Sequence, residues 1–145
     1  MEDFIYYGLF LTKDTRDFLI DYLKNSNYNE FFTNLNTIHL SHCTLLHVSQ
    51  INQNQAKDVK KRLDANIGKF ANMKLTSIGI SDNAMAFKVA TAVVSLNKIP
   101  HITIGTFGNG KPVDSNKIET WYSIDPFIIS GFVKKVEYNK KKNEI

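Results

Sequence analysis

Two short stretches hold the residues best suited to chemistry. In Ile38 to Val48, IHLSHCTLLHV, His42 and Thr44 stand two apart in a β-prone run, and in Ile99 to Thr106, IPHITIGT, His101 and Thr103 repeat the arrangement. Strand side chains alternate between faces, so each pair projects from one side, about 7 Å apart along the chain. An imidazole beside a hydroxyl offers a proton carrier and a donor for a phosphoryl oxygen. Histidine suits either proton role because its unperturbed pKa is about 6.5. Two such pairs supply the parts for phosphodiester hydrolysis: a base for water, an acid for the leaving oxygen, and donors for the charge that grows on the non-bridging oxygens. Acid and base must flank the phosphorus, which two strands from related half-domains can arrange.

Each of these residues also has a plainer reading. A lone strand histidine is more often structural, and threonine is a common strand residue. Only the repetition favours chemistry. His39 and His47 lie at odd offsets from His42, on the opposite face of a regular strand, and read as packing or surface residues. Those offsets also split a His39/His42/His47 metal set between faces, with no acidic ligand nearby, so no metal or other cofactor is expected. Cys43 adjoins His42, but strand neighbours point apart, which makes it a buried structural thiol rather than a nucleophile. For substrate contacts, Lys111 in a glycine-containing loop can meet a phosphate, Trp121 can stack on a base, and Tyr6 shares a face with Gly8.

The elements that must position these residues follow from pattern. Phe4 to Leu11, FIYYGLFL, is apolar on both faces and predicts a central strand, with Gly8 marking a close approach. Asp14 reads as the N-cap of a helix whose apolar face is Phe18, Leu19, Tyr22 and Leu23 and which ends near Asn25. The Asn-rich stretch to Asn36 reads as a loop or short helical turn anchored by Phe31 and Phe32. Spacings of three and four among Ala56, Val59, Leu63, Ile67 and Phe70 predict a second helix. Lys74 to Ile80 and Met85 to Val93 predict a hairpin turning at Ser81-Asp82-Asn83. After the Phe107 to Pro112 loop, Asp114 or Ser115 caps a short helix through Ile118 toward Trp121, and a last strand runs from Phe127 to Tyr138. The order suggests a pseudo-symmetric α+β domain.

Composition bounds the class. At 145 residues, 43% hydrophobic, the chain reads as a single domain over residues 1–145 that buries roughly two-thirds of its unfolded surface. No apolar run approaches the roughly 20 residues of a membrane span, and MEDFIYY carries acids where a secretory signal carries bases. One cysteine excludes an internal disulfide. The expectation is a cytoplasmic monomer with no membrane association. Of 18 basic side chains, Lys134, Lys135, Lys140, Lys141 and Lys142 crowd the last dozen residues, which reads as a solvated tail.

The motifs HCTL at His42 and HITI at His101 resemble the paired signature of the 2H phosphoesterase superfamily. IPHITIGT with the following GKPVDSNKIETW, and FFTNLNTIHLSHCTLLH, are similar to the two motif segments in the cyclic phosphodiesterase domain of fungal-type tRNA ligases. The resemblance implies a two-lobed α+β fold with antiparallel sheets, a central cleft and outer helices. It also implies metal-independent opening of a 2′,3′-cyclic phosphate, on an RNA 3′ end or small nucleotide, to a 2′-phosphate. His42 and His101 are then the catalytic pair and Thr44 and Thr103 the phosphate-binding pair. Neither the nucleotidyltransferase nor the kinase of a complete ligase is present in the sequence, so the expectation is a stand-alone RNA-repair phosphodiesterase. Two alternatives use the same residues: an enzyme degrading 2′-5′ oligoadenylate or cyclic oligonucleotide signals, and a non-catalytic RNA-binding module.

Overall fold

The computed structural model describes residues 3–138. Its strands are β1 (Phe4–Phe10), β2 (Thr37–Ile38), β3 (His42–His47), β4 (Phe70–Ile80), β5 (Ala84–Ala90), β6 (His101–Thr106) and β7 (Trp121–Glu137); its helices are α1 (Lys13–Lys24), α2 (Asn29–Thr33) and α3 (Ala56–Asp64). All strand pairs are antiparallel, in the order β2-β6-β3-β1-β7-β4-β5, and β5 also pairs with β6. That last pairing closes six strands into a barrel-like ring, with β2 as an addition on β6. The expected antiparallel sheets are thus joined into one continuous closed sheet, and closure removes the exposed edges open sheets would carry.

Tyr7, Leu9, Cys43, Leu45, Leu75, Phe87, Ile102 and Ile104 are fully buried on one face of the sheet, where they form a core with Leu19 and Leu23 of α1 and Val59 and Leu63 of α3. As expected for a central strand, β1 is bonded on both sides, to β3 and β7. The capping residue of α1 is Thr12 rather than Asp14: its Oγ1 accepts the Thr15 N–H at 3.3 Å. Leu19 and Leu23 of α1 are buried, whereas Phe18 is exposed. In α2, Phe32 is the buried anchor and Phe31 faces out.

The second helix is shorter than its periodicity. α3 ends at Asp64, and Gly68 at φ +85° turns the chain, so Ile67 is exposed and Phe70 instead opens β4. The Tyr7 hydroxyl, which donates to the Asp64 carboxylate, ties this helix to β1. The predicted hairpin is present as β4 and β5, and the last strand begins six residues early, at Trp121. Lys134 and Lys135 lie within β7 rather than in a tail, Lys135 pairing with Asp3 at 3.0 Å; Lys140, Lys141 and Lys142 lie outside the described residues. No described helix is long and apolar enough to cross a membrane.

Candidate active site

Strands β3 and β6 meet at one pair, Cys43 opposite Ile102, and both side chains point into the core. The antiparallel register then sets His42 opposite Thr103 and Thr44 opposite His101, all four on the sheet face away from the core about a local two-fold. Opposite residues in such a pair lie about 5 Å apart and diagonal ones about 7–8 Å. Each histidine thus has the other motif's threonine beside it and the other histidine across the diagonal.

The flanking strands complete two rows. From β1, Phe10 stands beside His42 and Gly8 beside Thr44; from β5, Lys88 stands beside His101 and Ala86 beside Thr103. Small residues flank both threonines and large ones both histidines. Gly8 is needed here, because a Cβ would come within 3.3 Å of His42 Cδ2 and 3.1 Å of the Cys43 carbonyl.

The two imidazoles are held differently. The ring of His42 lies nearly parallel to Tyr6 and Phe10, with centroids 4.8 and 4.9 Å away, and its Nδ1 bonds Ser41 Oγ at 3.0 Å. Burial against these rings, helped by the nearby imidazoles of His101 and His39, pulls its pKa down to about 4. His42 is therefore neutral at pH 7. In His101, Nδ1 lies 2.9 Å from the Ile99 carbonyl oxygen. A carbonyl only accepts, so Nδ1 carries the proton and a neutral His101 keeps its lone pair on Nε2.

The threonines differ too. Thr103 Oγ1 shares a 2.9 Å hydrogen bond with Ser115 Oγ, which is buried in the 3₁₀ turn Pro112–Lys117. Thr44 is held through its backbone: Asn97 Nδ2 donates to its carbonyl at 2.6 Å, Gln50 Nε2 donates to Asn97 Oδ1 at 3.3 Å, and the His47 N–H donates to Gln50 Oε1 at 2.9 Å. Ser115 lies in the KPVDSN stretch that carried the resemblance; no sequence signal marked Asn97.

The four residues open onto a cleft of about 570 Å³ that also meets Tyr6, His39 and His47, and among the described residues no acidic, lysine or arginine side chain lines it. His39 and His47 reach the cleft because the strand is irregular. Leu40, at φ +46°, breaks the run between Ile38 and His42, and a bulge makes Leu45 an extra residue, since Tyr7 pairs with Leu46 but Gly8 with Thr44. His47 is occupied as a cap: its Nδ1 accepts the Ser49 N–H at 3.1 Å. Among the described residues no group of three or more histidine, cysteine or carboxylate side chains is placed to hold a metal ion. Cys43 is buried, its thiol pushed up to about 12 by desolvation.

Of the expected substrate contacts, Tyr6 lines the cleft against His42. Trp121 lines an adjoining pocket of about 350 Å³ that shares His101, Asn97, Gln50 and Asn116 with the cleft. Lys111 is exposed and lines neither.

A family model described as the fungal tRNA ligase phosphodiesterase domain matches residues 16–126, a span that includes both His-x-Thr strands. Among solved structures, one titled as the crystal structure of a fungal RNA kinase matches with a TM-score of 0.71 at 21% identity, over 95% of this chain and 46% of that one. This second likeness is one of fold, and the chain spans just under half the length of that structure's chain. No curated protein matches.

Proposed function

We propose that this chain, which belongs to the fungal tRNA ligase phosphodiesterase domain family, is a 2H-type, metal-independent phosphodiesterase that opens a 2′,3′-cyclic phosphate at an RNA end to a 2′-phosphate. The observation that carries this reading is the Cys43–Ile102 pairing, which gathers His42, Thr44, His101 and Thr103 around one point on the cleft floor.

A cyclic phosphate seated there meets an imidazole on each side and a hydroxyl from each strand. Water attacks phosphorus, a P–O bond forms, and the P–O3′ bond breaks opposite it. His42, neutral in the free protein, takes the water proton as base. His101, whose Nδ1 is tied to the Ile99 carbonyl, presents Nε2 to the leaving oxygen and gives its proton to O3′. Thr44 and Thr103 donate to the non-bridging oxygens, where charge accumulates. Ser115 can donate to Thr103 Oγ1, which frees the threonine proton for phosphate. Among the described residues no carboxylate lines the cleft to repel the anion.

The test is a substrate panel in EDTA: RNA ending in 2′,3′-cyclic phosphate, a mononucleoside 2′,3′-cyclic phosphate, 2′-5′ oligoadenylate and a 3′-5′ cyclic dinucleotide, with products identified by mass and phosphatase sensitivity. Opening of the first to a 2′-phosphate supports the reading. Cleavage of only the third or fourth replaces it with signal degradation, and RNA binding with no product replaces it with a binding module.

A further inference from the structure

The main cleft ends at His101, but the concave surface does not. Beyond it lies the Trp121 pocket, which meets the cleft through His101, Asn97, Gln50 and Asn116. Its size falls at the lower end of small-ligand sites. Its walls combine the indole and Ile99 with the carboxamides of Gln53 and Asn116, and Lys98 stands at the side; among the described residues no carboxylate lines it. Flat apolar surface, amide donors and acceptors, and positive charge are together the chemistry that holds a nucleotide: stacking for the base, amides for its edge, a cation for its phosphate.

Two further features single out Trp121. Its Nε1–H is buried with no hydrogen-bond partner among the described residues, a costly state for a donor. Its ring lies against Gly79, where a Cβ would come within 2.6 Å of it, and the Lys88 ammonium stands 5.1 Å from its centroid. Lys88 is also the cross-strand neighbour of His101. The indole is thus fixed by the sheet at the side of the reaction centre away from Tyr6 and Phe10.

We propose that the Trp121 pocket is a second nucleotide subsite, holding the nucleotide next to the reacting end while the His/Thr cleft holds the terminal nucleoside. The substrate is then an RNA chain rather than a free mononucleotide. This rests on the cyclic phosphodiesterase reading, and the experiment separates the two. Trp121 is the only tryptophan, so its emission reports on the pocket directly. Titrate the wild-type protein with uridine 2′-phosphate and with the dinucleotide ApU bearing a terminal 2′-phosphate; in parallel, compare kcat/KM on the corresponding cyclic phosphates. The dinucleotide should perturb Trp121 emission and the mononucleotide should not. The cyclic dinucleotide should be opened about tenfold or more faster in kcat/KM, the scale of one stacked base. Trp121→Ala should collapse that ratio toward one, and Trp121→Phe, which keeps a ring in place, should restore part of it. Equal kcat/KM for the two cyclic phosphates overturns the subsite while leaving the phosphodiesterase reading intact. Opening of neither removes the parent reading, and the emission titration still decides the subsite. Dinucleotide binding that leaves Trp121 emission unmoved overturns it and points to the opposite wall, at Tyr6 and Phe10.

Discussion

The two His-x-Thr strands are related by a local two-fold, yet the two sides of the cleft are not alike. On the β3 side, Tyr6 and Phe10 close onto His42, strip it of water and hold it neutral. On the β6 side, a carbonyl fixes the tautomer of His101, Lys88 is its cross-strand neighbour and stands over the Trp121 ring, and a pocket lies between His101 and Trp121. The threonines invert the pattern: Thr103 is bonded through its hydroxyl to Ser115, Thr44 through its backbone to Asn97. Strand register thus fixes where four side chains stand, while the flanking strands decide which charge state and which proton each presents. A symmetric motif becomes an asymmetric site.

The comparison can be broken at its hydroxyls. Thr44→Val and Thr103→Val should each slow turnover by about 10²-fold, the usual scale for losing one donor to developing charge. Ser115→Ala should cost only about tenfold, since it leaves Thr103 in place and removes one orienting hydrogen bond. Steady-state kcat on a cyclic phosphate checks the order; a Ser115→Ala loss as large as that of Thr103→Val would mean that Ser115 itself meets the substrate.

A subtler difference lies in stability. His42 has a folded pKa of about 4 against about 6.5 unfolded. Between those values the unfolded chain binds a proton that the folded one refuses, so stability is full above pH 6.5 and falls as pH drops toward 4. The whole effect is about 3 kcal/mol at most. Urea midpoints measured from pH 7 to pH 4 should show that decline, and His42→Gln should flatten it. An unchanged slope in the variant would place the titrating group elsewhere.

Much of this was legible in the sequence because period-2 patterns are local. The His-x-Thr pairs, the central strand and the β4–β5 hairpin all follow from residue type and spacing. Features set by distant contacts were not legible. The Leu45 bulge and the left-handed Leu40 bring His47 and His39 to the cleft, and neither leaves a glycine or proline to mark it. The run from Ala56 to Phe70 keeps a helical period past the point where Gly68 turns the chain, because Phe70 faces outward from a strand. Lys111 looked suited to phosphate by loop context alone, but the turn that follows it points Pro112, Val113 and Asn116 at the cleft instead. The Asn97 and Ser115 supports depend on tertiary contacts 53 and 12 residues apart.

The central claim is that His42 and His101 serve one reaction centre, and the most direct measurement is a set of single-turnover rates on an RNA ending in 2′,3′-cyclic phosphate. The set comprises the wild type, His42→Ala, His101→Ala and the double variant, with circular dichroism as a check on folding. Each single change should lower the rate by about 10²–10⁴-fold, and the double variant should fall little further than the worse single, because groups acting on one transition state are not additive. A single variant that keeps the wild-type rate, or a double variant whose loss is the full product of the two, would contradict the account.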